Sequence, residues 1–169
     1  MLPSCGGSRA DGSYEQRGQN ELSFGMQNVV DYRLHPRLTN AELNALFSLG
    51  WPAWQTAPDT SDWQPVLEHS LVYIGAFLED DLVGFVNVAW DGRDHAFLLD
   101  PRVHPEHRNR GIGRELVRRA AEAAREEGCE VLHVDYTPEL TRFYESCGFA
   151  PTAAGLIRLN QGSGGAGGG

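Results

Sequence analysis

The sequence predicts a mixed α/β sandwich, a single sheet with helices packed against it. Three observations carry that prediction. Apolar, β-branched and aromatic runs of strand length crowd the middle of the chain, at 71–78, 82–90 and 95–103. A helical period at Leu43, Leu46, Phe47 and Leu49 stands before them, and an Ala-, Arg- and Glu-rich stretch free of Gly and Pro, 114–127, stands after them. Turn residues punctuate the junctions. The expected order is strand, two helices, three strands, helix, strand, helix and two closing strands.

Each element has its own reason. Val29 to Leu34 reads as the first strand. Thr39 is an N-cap with Glu42 three residues later, opening a helix whose apolar positions are Leu43, Leu46, Phe47 and Leu49. Gly50 to Trp54 is a loop, and Ser61 or Asp62 caps a second helix running to about His69. Leu71–Leu78 and Leu82–Trp90, joined at Glu79-Asp80-Asp81, form an antiparallel hairpin. After the turn Asp91-Gly92-Arg93 the chain returns as a strand from His95 to Val103. A helix without Gly or Pro follows, Arg114 to Glu127, and stops at Gly128. Val131–Tyr136 is a further strand, and Pro138 opens the last helix. Phe149 and Leu156–Leu159 supply the closing strands.

Composition bounds the function. At 169 residues, 41% hydrophobic and 22% charged, the chain has room for one globular domain with a sizeable core. A net charge of −9 argues against nucleic acid as a partner. No run reaches the apolar length that spans a bilayer, and no signal peptide is evident. Cys5, Cys129 and Cys147 are scattered without metal-ligand spacing, so a reduced, cytoplasmic setting and no metal are expected. Residues 1–27 show no apolar period and 161–169 are Gly-rich, so both ends are expected to be flexible appendages of a domain spanning 28–160.

The densest chemical signal is Val103-His104-Pro105-Glu106-His107-Arg108-Asn109-Arg110-Gly111-Ile112-Gly113-Arg114: a strand end, a basic loop and two glycines that open a helix. A helix N-terminus leaves its first N–H groups unpaired and carries partial positive charge, and glycines let a ligand approach that backbone. This is a phosphate cradle. It is not a P-loop, since Arg114 and Glu115 follow Gly113 where Lys and Ser or Thr are needed. It is not a dinucleotide fingerprint either, since the third glycine would fall at Leu116.

What remains, Arg108-x-x-Gly111-x-Gly113 preceded by Val103-His104-Pro105, resembles the acyl-CoA loop of the GNAT superfamily of N-acetyltransferases. About thirty residues on, Phe143-Tyr144-Glu145-Ser146-Cys147-Gly148-Phe149 resembles that family's C-terminal signature. The resemblance covers about residues 29 to 159 and implies a splayed central sheet, acetyl-CoA as cosubstrate and transfer of its acetyl group to an amine. It implies that Arg108, Asn109, Arg110, Gly111, Ile112, Gly113 and Arg114 hold the diphosphate. By the same resemblance Val103 would pair with the pantetheine arm, Thr137 would bond one of its amides in place of the more usual Asn, and Phe143 would flank it. Tyr144 is the implied general acid.

The general base is less determined. Asp100, just upstream of the cradle strand's end, is the first candidate, with Glu79, His95 and Asp135 behind it. Pro101 departs from the family pattern, because it lacks the N–H that would polarise the thioester carbonyl. Trp51 and Trp54, with Trp63 and the acids Asp59, Asp62 and Asp100, would suit a small cationic amine. Two other readings stay open: an acyl-CoA sensor of the same fold with weak catalysis, and a loop that is merely a turn. A homodimer is compatible with the sequence, although no segment specifies its interface.

Overall fold

A computed structural model describes residues 29–49, 60–157 and 159. Strands β1 (Val30–Leu34), β2 (Val72–Leu78), β3 (Asp81–Trp90), β4 (His95–Val103) and β5 (Val131–Val134) lie side by side in chain order. Pairing is antiparallel throughout except between β4 and β5, which run parallel. Helices α1 (Asn40–Ser48) and α2 (Gln64–His69) pack on one face, around Leu43, Phe47, Trp63, Phe77 and Phe85. Helices α3 (Ile112–Glu126) and α4 (Thr141–Ser146) pack on the other, around Ile74, Val86, Leu98, Leu116 and Tyr144.

Local chemistry places the helices. Thr39 Oγ1 accepts from the Glu42 N–H at 3.2 Å while the Glu42 carboxylate accepts from the Thr39 N–H at 2.8 Å, the expected capping box. In α3 the buried residues Ile112, Leu116, Val117, Ala120 and Ala124 form one stripe against the sheet. On its outer side the Glu115 carboxylate accepts from Arg118 at 2.6 Å and Arg119 at 2.7 Å. Gly148, at φ 97°, closes α4 and lets the Phe149 N–H return to the Tyr144 carbonyl at 3.1 Å. That return sets the Phe149 ring edge-on against Tyr144, centroids 5.7 Å apart.

Three elements differ from the sequence reading. β5 ends at Val134, two residues early, and Pro138–Leu140 forms a 3₁₀ turn ahead of α4. The closing strands are not formed among the described residues: Ala150–Ile157 has no regular structure, and Leu156 and Ile157 are 70% and 85% exposed. An apolar run becomes a strand only where a neighbouring ladder pairs its N–H and C=O groups, and here none does. Among the described residues no helix is long and apolar enough to cross a membrane.

Candidate functional site

β4 and β5 pair only from His95–Leu98 against Val131–Val134. Beyond Leu98, β4 runs on to Val103 with its outer edge unpaired, so the sheet opens into a notch. The N–H of His104 donates to the Val83 carbonyl of β3 at 2.8 Å. Successive residues of a strand point their N–H groups to opposite edges, so that of Val103 faces the notch. The Val103 carbonyl on the same side accepts from Arg108 Nε at 3.4 Å.

The N-terminus of α3 lies at the end of this notch. Gly111 is the N-cap, at φ 83° and with no side-chain cap, and the first helical bond runs from Glu115 N–H to the Gly111 carbonyl at 3.0 Å. The N–H groups of Ile112, Gly113 and Arg114 therefore have no acceptor within the helix. A Cβ at position 111 would meet nothing within 4 Å, yet that backbone conformation disfavours any L side chain. A Cβ at position 113 would touch Phe143 and Val103 at 3.5 Å, an ordinary contact.

These groups border a cleft of about 570 Å³. It brings together most of the residues the sequence singled out for the donor: Val103, Arg108, Asn109, Gly111, Ile112, Gly113, Arg114 and Phe143, with Tyr144 at its wall. Arg110 and Thr137 do not line it. Arg110 stands behind His107, its Nη1 3.0 Å from His107 Nδ1, and Thr137 bonds the Glu139 carboxylate and holds that acid below its usual range. Arg114 Nη2 donates to Ser146 Oγ at 3.0 Å, tying α3 to α4. His107, Leu116, Leu140 and Arg102 also line the cleft and were not foreseen. His107 sits inside the quoted loop; Leu140 carries no signal in the sequence.

Tyr144 is 3% exposed, stacked on Tyr136 with centroids 4.7 Å apart. Burial, reinforced by Cys147, pushes its hydroxyl up to about 12. The group is therefore neutral over the whole physiological range.

A bulge shapes the other side of the notch. Phe85 pairs with Arg102 and Asn87 with Leu99, so β4 spends three steps where β3 spends two. The extra residue falls at Asp100-Pro101, where Asp100 adopts φ 53°. The side-chain alternation then changes phase. Ala96 and Leu98 point toward α3; past the bulge Val103 does so, and Arg102 points toward α1. Pro101 sits where the ladder needs no N–H, which explains how a strand accepts it.

The phase change gathers polar groups on the α1 face. Asn87, 1% exposed, donates from Nδ2 to Asp100 Oδ2 at 2.8 Å. Arg102 donates to the Phe47 carbonyl at 3.1 Å, with its guanidinium over the Phe47 ring. Asp100 as a residue is exposed, but protein crowds its carboxylate. That burial pushes its acid above the ordinary value, against the opposing pull of the Asn87 bond and the Arg102 charge.

The other candidates stand elsewhere. His95 begins β4, at the closed end of the sheet, with Nδ1 2.8 Å from His133 Nε2. Glu79 lies in the β2–β3 turn and Asp135 on the exposed segment after β5. Trp63 belongs to the core beside α1: it is 7% exposed, tilted against Phe47 at 4.3 Å, and its Nε1 donates to Asn44 at 2.8 Å. Asp62 accepts from Asn40 at 2.9 Å and joins the two helices. Trp51, Trp54 and Asp59 lie outside the described residues.

The model of the acetyltransferase (GNAT) family matches residues 40–149. The chain belongs to the GNAT family. Over 42 residues this GNAT chain is 52% identical to glucosamine 6-phosphate N-acetyltransferase 1 of Oryza sativa, covering 25% of this chain and 26% of that protein. Over 80 residues it is 35% identical to streptothricin acetyltransferase of Streptomyces lavendulae, covering 47% and 41%. It thus spans about a quarter to two fifths of the length of these curated relatives. Among solved structures it resembles an aminoglycoside N-acetyltransferase in complex with CoA at TM-score 0.63, with 20% identity over 81% of this chain and 98% of that one. It also resembles the Arabidopsis thaliana glucosamine-6-phosphate N-acetyltransferase at TM-score 0.61, with 14% identity over 78% and 99%. At such identities the likeness concerns the GNAT fold.

Proposed function

We propose that this protein transfers an acetyl group from acetyl-CoA to a primary amine of a small cationic molecule. The observation that carries the reading is the row of uncapped amides at Ile112, Gly113 and Arg114, facing a cleft that runs past an unpaired strand edge to Tyr144. Three aligned N–H groups at the positive end of a 15-residue helix, with Arg108 and Arg114 beside them, suit a diphosphate. The Val103 N–H suits an extended amide-bearing arm, which it would pair as an added strand does.

The thioester then lies at the notch, between the two faces of the sheet. An amine arriving on the α1 face attacks the acetyl carbon: a C–N bond forms and the C–S bond breaks. Asp100 takes the proton the nitrogen loses, directly or through one water, because its carboxylate is held toward the α1 face by Asn87. Tyr144 donates to the departing sulfur and is later reprotonated from solvent. At about 12 it is a weaker acid than a free thiol near ~8.5, but the apolar wall that raises Tyr144 raises a buried thiol as well. Tyr144 accordingly begins as a hydrogen-bond donor and yields its proton as charge builds on sulfur.

Pro101 supports the second reading, an acyl-CoA-binding module with feeble catalysis, because it presents no N–H to the thioester carbonyl. Steady-state thiol release against aminoglycosides, polyamines, amino acids and peptides separates the two. Acetyl-CoA raises the melting temperature under both readings. Turnover with an amine supports the enzyme, and binding without turnover supports the module. A melting curve indifferent to acetyl-CoA rejects both.

A further inference from the structure

We infer that Asn87 is a positioning residue for the acyl transfer: its buried amide holds the Asp100 carboxylate in place on the α1 face, where the acceptor amine must arrive. The inference rests on the acetyltransferase reading of the notch and extends it to a residue on a different strand.

Asn87 is a polar residue in the middle of β3, between Val86 and Val88, both of which point into the α3 core. A buried amide costs free energy unless its hydrogen bonds are made, and an apolar residue would serve the strand better. Its Nδ2 is committed to a single side-chain acceptor, Asp100 Oδ2 at 2.8 Å. That acceptor is itself held in an unusual way. Asp100 occupies a left-handed conformation at φ 53° inside the β4 bulge, one that Asp tolerates better than most side chains. The bulge turns the carboxylate onto the face of Asn87, and Asn87 pairs across the sheet with Tyr73 on that face.

The groups acting on the carboxylate come from two strands. Asn87 of β3 supplies the hydrogen bond and Arg102 of β4 supplies positive charge; burial opposes both. Arg102 is anchored to the Phe47 carbonyl of α1 and over its ring, so its charge is fixed in place. Among the described residues no other titratable group acts on Asp100. Asn87 is thus the adjustable neutral contact. It fixes where the carboxylate points and, by favouring the ionised form, keeps it able to take a proton.

The test is an Asn87→Leu variant, which keeps the number of side-chain heavy atoms and removes the donor, beside Asn87→Val, a smaller strand-favouring alternative that also lacks a donor, should Leu disturb folding. The direct readout is the titration of the Asp100 carboxyl carbon by NMR. We expect both variants to move it to higher pH, with kcat/KM falling about tenfold at neutral pH and acetyl-CoA affinity unchanged. In an Asp100→Asn background the Asn87 substitutions should have little further effect on rate. An Asp100 titration identical in wild type and variants overturns the inference. So does an equal rate loss with and without Asp100, which marks Asn87 as structural only. A wild type that binds acetyl-CoA but releases no thiol refutes the acetyltransferase reading instead, while the titration still decides whether Asn87 governs the charge of Asp100.

Discussion

The α3 face and the α1 face of the notch are built from different kinds of information. On the α3 face, the cradle is one contiguous stretch, Val103 to Arg114, whose working groups are backbone amides and whose side chains mainly shape the loop. On the α1 face, Asn87, Asp100 and Arg102 come from two strands and converge because β4 contains one residue more than β3 requires. A backbone site survives most side-chain changes but not a change of backbone conformation. A side-chain site assembled by register is sensitive at every member, yet each member can be altered without breaking the loop. That contrast can be broken experimentally, beginning with the largest effect.

Replacing Gly111 and Gly113 together by Val should weaken acetyl-CoA binding by about 10²-fold or more and abolish its thermal shift. Val at position 111 also strains the helix entry by roughly 1–2 kcal/mol. Gly113→Ala, whose Cβ meets only ordinary contacts at 3.5 Å, should bind within about threefold of wild type. Equal affinity in the double variant would remove the backbone from the donor site.

Tyr144→Phe should lower kcat by about 10²-fold with acetyl-CoA affinity unchanged. Because the hydroxyl is pushed up to about 12, its ionisation should not limit the rate between neutral pH and moderate alkalinity. An alkaline limb well below that value, lost in the Phe variant, would contradict the assignment.

Asp100→Asn should cost somewhat less, about tenfold or more in kcat/KM, and should abolish the acid limb of the profile. Its effect on stability has a definite sign. The Asp100 acid is raised in the folded state, so its ionised form disfavours folding at neutral pH, and that penalty disappears as pH falls. Asn tolerates the left-handed backbone and still accepts from Asn87. Thermal melts should therefore show the variant no less stable than wild type at neutral pH, with any advantage shrinking in acid.

The smallest effect concerns the helix that bears the cradle. Arg118 and Arg119 hold the Glu115 carboxyl down at about 2 from an ordinary 4.5. Its contribution is present above the higher value and lost as pH falls through the lower one. For an exposed, screened pair this amounts to under about 0.5 kcal/mol, so Glu115→Gln should shift an acid-unfolding midpoint only slightly.

The same contrast explains what could be read from the sequence. The Thr39–Glu42 capping box, the β2–β3 hairpin and the existence of α3 with its Gly128 stop were legible because each is set by residues within a few positions of one another. So was the cradle. Leu156–Leu159 was misread because strand propensity does not supply a neighbour. Trp63 was misread because an aromatic near a loop looks the same whether α1 packs over it or leaves it open. Asn87 and Arg102 passed unnoticed: a strand Asn and a strand Arg acquire meaning only from what they face.

The sequence by itself determined the order of the five strands and four helices, and the amide-lined entry to α3, because turn chemistry, periodicity and capping act over a few residues. Only the tertiary structure decided that β4 parts from β5 at Leu98, and that a bulge at Asp100-Pro101 reverses which side chains meet α1 and which meet α3. The physical reason is the two-residue period of a strand. One inserted residue exchanges its faces, and no local pattern records which partner it will be paired with.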